Sequence, residues 1–75
     1  MNKKIEFDYS RLKGKIVEIF GSQRKFCEEY GISQTNWSLK MNNKVRFKDD
    51  EIVELSIFLN LEPDDIPKYF FTLKV

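Results

Sequence analysis

Gln34, Thr35, Asn36, Ser38, Lys40 and Asn42 fall within one short stretch of the chain. They offer amides, hydroxyls and an ammonium group, and no strong acid. Such groups at helical spacing suit hydrogen bonding to base edges and phosphates in a major groove. Asn43, Lys44 and Arg46 extend this chemistry into a turn-rich basic loop, where phosphate contacts are expected. Covalent chemistry has no comparable set. The chain has no His and one cysteine, Cys27, so the usual zinc sites and the Ser-His-Asp and Cys-His catalytic sets are excluded. Glu28/Glu29 and Asp64/Asp65 are adjacent pairs, which do not face each other on a helix. They read as solvated charge, and no catalytic residue, metal or cofactor is expected.

The polar stretch needs a helix under it, and the flanking residues supply one. Ser33 caps a helix from Gln34 to about Met41. Ser22 caps an earlier one, Gln23 to Tyr30, and Gly31 stops it by adopting the left-handed conformation. Ile32 plugs the space between the two. Helix, short Gly-containing turn and helix make a helix-turn-helix signature. Phe26, Cys27 and Tyr30 form the buried face of the first of these helices. Trp37 and Met41 turn inward from the second. Cys27 reads as a small buried hydrophobe rather than a redox switch.

Around this pair, Tyr9, Leu12, Ile16 and Phe20 predict an amphipathic first helix ended by Gly21. Asp8 is expected to cap it, with Phe7 and Leu12 as a hydrophobic staple. Gly14 either permits a close backbone approach or is neutral. Asp49, Asp50 and Glu51 open a fourth helix with core residues Ile52, Leu55 and Leu59, a Phe47/Ile52 staple and a stop at Asn60. Pro63 starts a short fifth helix to about Ile66, which Pro67 is expected to end. Lys4–Phe7 and Phe71–Val75 alternate as short strands. They pair with each other, pair across a dimer, or fray.

Seventy-five residues predict one domain spanning 1–75. The net charge of +1 conceals a division. Residues 1–48 carry eleven Lys/Arg against five Asp/Glu, and residues 49–75 carry two against seven. A basic half that coincides with the helix-turn-helix reads as an electrostatic footprint. No apolar run is long enough for a membrane span, the N-terminus lacks an apolar signal core, and the lone cysteine suits a reducing compartment. A cytoplasmic protein is expected.

In FDYSRLKGKI, FGSQRKFCEEYGISQTNWSLKMNNK, FKDDEIVELSIFLNL and IPKYFFTLKV, the chain resembles the Cro/C1-type helix-turn-helix regulators of phages and mobile elements. The resemblance implies an all-α, five-helix lambda-repressor-like fold, with the short terminal strands as an addition. It assigns base reading to Gln34, Thr35, Ser38 and Leu39. It assigns a phosphate contact to Gln23 and a phosphate or base contact to Asn42, beside the phosphate contacts expected of Asn36, Lys40, Asn43, Lys44 and Arg46. Leu39 departs from the pattern, since it offers only an apolar contact to a thymine methyl. Lys40 stands where relatives bury an aliphatic residue, and is expected to bury its stem and send its charge to a phosphate. The expected function is a sequence-specific DNA-binding transcriptional repressor, a homodimer on palindromic double-stranded operator DNA, with no membrane or small-molecule partner. The apolar surplus of Ile57, Phe58 and the tail from Tyr69 to Val75 is either the dimer interface or folds together within one chain. The alternative function is a protein-interaction module, an antirepressor or antitoxin-like partner built on the same fold.

Overall fold

Serine and glycine punctuate the helices where their chemistry allows it. The computed structural model describes residues 5–75. Five α-helices follow in order, α1 (Ser10–Phe20), α2 (Gln23–Tyr30), α3 (Gln34–Met41), α4 (Asp49–Phe58) and α5 (Ile66–Phe70), with a 3₁₀ turn at Pro63–Asp65 before the last. The chain is a small all-helical domain, as expected. Gly21 at φ 87° and Gly31 at φ 89° end α1 and α2 in the left-handed region. Ser22 and Ser33 cap α2 and α3, their hydroxyls accepting from the backbone N–H groups of Lys25 and Asn36 at 3.1 Å each. The N–H groups of Gly31 and Ile32 both donate to the Cys27 carbonyl, which fixes the angle between the two helices.

Two local expectations are corrected. Tyr9, not Asp8, occupies the N-cap of α1. Asp8 lies one residue outside the cap, where its N–H donates to the Thr72 carbonyl at 2.7 Å and its carboxylate accepts from the Ser10 N–H and hydroxyl. Pro67 does not end the fifth helix but lies in its first turn, where no intrahelical N–H is required. The terminal segments pair within one chain and form no extended strands among the described residues. An antiparallel bridge joins Phe7 to Leu73, flanked by the Asp8–Thr72 bond and by Lys74 N–H to the Glu6 carbonyl at 2.9 Å. Lys4 lies outside the described residues.

α1 packs on α2 and α5, and α2 on α3. Leu12, Ile16, Phe26, Leu55, Leu59 and Phe70 are fully buried between them. The aromatic residues join into one run through this core. Tyr9 meets Phe47 at 5.3 Å between ring centroids, Phe47 meets Trp37 at 5.7 Å, Trp37 meets Phe26 at 4.7 Å, and Phe26 meets Phe58 at 6.0 Å. Off-parallel contacts of this kind add to the hydrophobic gain.

Gly14 proves neutral. A Cβ built there meets nothing within 4 Å. Gly14→Ala is therefore expected to stabilise the chain by about 1 kcal/mol. That corresponds to a rise in melting temperature of roughly 4–8 °C, measurable by calorimetry. A lower melting temperature would show that neighbouring backbone does need the space.

Candidate functional site

The polar face of α3 forms as its sequence requires. Gln34, Thr35, Asn36, Ser38 and Leu39 are all exposed, and Trp37 points inward. The cation-rich set expected to grip phosphate is arranged differently. Gln23 accepts from Trp37 Nε1 at 2.9 Å, so its carbonyl oxygen is engaged inside the helix pair. Asn42 folds back on α3, donating to the Ser38 carbonyl at 2.8 Å and to its hydroxyl at 3.2 Å. Lys40 does bury its stem, but its charge turns to Glu51 of α4 at 2.9 Å and sits over the Phe47 ring. Only 12% of the Lys40 side chain is exposed, which leaves little of it for a phosphate.

Asn43 and Arg46 depart furthest from expectation. Asn43 is buried and adopts φ 62° just after α3, a conformation asparagine tolerates. Its side-chain amide accepts from Phe7 N–H at 2.8 Å and donates to the Phe7 carbonyl at 3.0 Å. A single side chain thus stands in for a neighbouring strand. Arg46 donates to the Asn43 amide oxygen at 3.3 Å and to the Ile5 carbonyl, and lies over the Phe7 ring. Both residues latch the N-terminal segment to the loop after α3. Lys44 remains exposed.

The Glu51 carboxyl also carries a pH-dependent contribution. Burial alone would raise the Glu51 carboxyl, but hydrogen bonds from the Lys48 backbone and the Lys40 ammonium outweigh it and hold the pKa below its ordinary 4.5. A carboxylate depressed in the folded state stabilises it above the unfolded-state pKa, and that stability is lost as pH falls through the folded value. Glu51→Gln should accordingly be less stable than wild type at neutral pH. The gap should close as the pH falls below 4.5. Urea melts at several pH values check this, and a gap independent of pH would mean that the charge contributes nothing. Cys27 is buried, and burial pushes its thiol pKa up, in keeping with an inert core residue.

A second surface is only partly legible in the sequence. The tail packs on the Ile5–Phe7 segment and leaves Ile57 and Phe58 uncovered, 75% and 40% exposed. Val53, one turn before Ile57, is exposed as well. The signal was available in α4, where apolar and acidic residues recur at a spacing of four on the side away from Ile52, Leu55 and Leu59. Among the described residues, no group of acidic, His and Cys side chains is arranged to hold a metal ion, and no helix is long and apolar enough to cross a membrane.

The chain is thus a small helical domain with a helix-turn-helix in which Lys40 is engaged internally while Arg24, Lys25 and Lys44 stay exposed, and with an uncovered apolar face on α4. The chain belongs to the DUF739 family, described as proteins of unknown function, whose model matches residues 5–73. It is similar to a solved structure, the solution structure of the modulator of repression (MOR) of the temperate bacteriophage TP901-1 from Lactococcus lactis. The two share 52% sequence identity, with a TM-score of 0.76, over 87% of this chain and 88% of that one. Comparison with curated proteins found no match. These findings correct the Cro/C1 assignment and, with it, the reading as a DNA-binding operator repressor. The matched relative is a modulator of repression, which agrees with the protein-interaction alternative.

Proposed function

We propose that this chain is a non-catalytic modulator of repression that binds a repressor protein directly and changes that repressor's hold on its operator. The observation that carries this reading is the 52% identity to the phage modulator of repression across 87% of the chain. The internal engagement of Gln23, Lys40, Asn42, Asn43 and Arg46 supports it, since these are the groups an operator-binding protein would hold outward. An α-helical surface that engages a folded partner needs only the exposed side chains of its helices, and no cofactor.

The test is operator binding by the repressor encoded in the same genome, followed by fluorescence anisotropy with and without this chain. The expected result is that the chain alone leaves the operator duplex unbound at micromolar concentration. It should shift the repressor's apparent operator affinity by about tenfold or more. An unchanged repressor affinity, with tight salt-dependent binding of the operator by the chain alone, would overturn the proposal.

A further inference from the structure

The outer side of α4 combines three features. Asp50, Glu54 and Phe58 recur every four residues and so form one column, with Asp49, Val53 and Ile57 alongside it. Phe58 is held in place by its neighbours. Its ring stacks on Phe20 at 5.5 Å and 10°, and meets Tyr30 at 5.1 Å, with buried Phe26 beneath them. Half-buried Phe20 and Tyr30 and exposed Phe58 therefore make a rigid aromatic platform at the surface.

Acidic groups border that platform. Burial first, then the charges of Glu54, Glu51 and Asp50, raise the pKa of the Tyr30 hydroxyl, so these carboxylates lie within electrostatic reach of it. Glu51 is neutralised by Lys40. Among the described residues, Asp49, Asp50 and Glu54 have no basic partner. Asp49 and Asp50 are explained by the helix N-terminus, where negative charge is favourable. Glu54 lies beyond the first turn, one turn after a like charge, where the spacing is repulsive. Neither capping nor packing accounts for it.

Aromatic faces beside free carboxylates are complementary to a guanidinium, which stacks by its flat face and donates N–H bonds in its plane. Exposed Val53 and Ile57 add an apolar contact at the side. A DNA-binding protein must carry lysine and arginine to neutralise phosphates, so a repressor has this complement to offer. A second copy meeting the first through a two-fold contact at α4 does not, because that contact would set its acids against themselves. We propose that the aromatic and acidic face of α4, with Phe20 and Tyr30, is where an arginine-bearing surface of the repressor docks. This rests on the protein-interaction reading above.

The experiment titrates the ¹⁵N-labelled chain with the repressor encoded in the same genome, and measures affinity by calorimetry for Glu54→Lys, Ile57→Ser and Lys44→Glu. Both α4 positions are exposed, and Glu54→Lys also relieves a like-charge pair, so its melting temperature should hold or rise. Chemical-shift changes are expected along α4 and at Phe20 and Tyr30. The two α4 variants should weaken binding by about tenfold or more, while Lys44→Glu stays within about twofold of wild type. If the shifts fall on α3 and both α4 variants bind at wild-type strength, the docking face is overturned and the repressor-binding reading stands. If the wild-type chain gives neither shifts nor heat, the repressor-binding reading fails and takes this inference with it. If sedimentation shows self-association that Ile57→Ser abolishes, the occupant is a second copy and the proposal is overturned.

Discussion

Phe26→Ala is expected to cost about 3–5 kcal/mol, the range for removing a fully buried aromatic ring. Phe26 is fully buried and touches Phe20, Tyr30, Trp37 and Phe58, so α1, α2, α3 and α4 all lose a contact at once. At roughly 0.05–0.15 kcal/mol per residue, a chain of this size has a total stability of about 4–11 kcal/mol. The variant should therefore lose about a third or more of the stability, with its urea midpoint falling accordingly. Phe26→Leu keeps most of the volume and should cost clearly less. Urea titrations of the two variants decide the matter. A loss below about 1.5 kcal/mol for the alanine variant would show that the surrounding rings close the space, contrary to a rigid aromatic core. The same ring floors the surface platform of Phe20, Tyr30 and Phe58, so any folded Phe26→Leu protein should also bind its partner more weakly.

Asn43→Ala should be the next most damaging change, at about 2–4 kcal/mol. Two effects combine in that figure. The substitution removes the bonds to Phe7 N–H and C=O, and it places an alanine at φ 62°, where a Cβ is disfavoured. Asn43→Gly separates them, because glycine accepts the conformation but offers no amide. The glycine variant should recover about 1 kcal/mol of the loss and no more. Arg46 loses one of its partners in either variant, which loosens its hold on the Ile5 carbonyl. Amide hydrogen exchange at Phe7, Asp8 and Lys74 should accelerate, since the bridge to the tail depends on a fixed Phe7. A glycine variant as stable as wild type would show that the amide is no latch.

The helix-turn-helix is ambiguous about function because its signals are local. A capped helix pair with an amide- and hydroxyl-rich second helix is what a major groove requires, yet the solved relative at 52% identity is a modulator of repression. Fold and function separate here because function depends on which groups remain free. Lys40, Asn43 and Arg46 looked free because their helix and loop are polar. Each is claimed by a residue from another part of the chain: Glu51, Phe7 and Ile5 respectively.

The helices themselves were decided by the sequence. Caps at Ser22 and Ser33, left-handed stops at Gly21 and Gly31, and apolar residues at helical spacing act within a turn or two, so neighbouring residues suffice to set them. The burial of Leu12, Ile16, Phe26, Leu55 and Leu59 follows from the same periodicity. Tertiary structure alone decided the rest. It joined the two chain ends through Phe7 and Leu73, paired the Asp8 N–H with Thr72, and assigned the Asn43 amide to a segment thirty-six positions earlier. It also left Ile57 and Phe58 uncovered by sending the tail to Ile5 and Phe7 instead. These outcomes rest on hydrogen bonds and ring contacts between distant segments. Their energies depend on geometry that no local pattern contains, so a polar side chain's availability to a partner is settled only once the whole chain has folded.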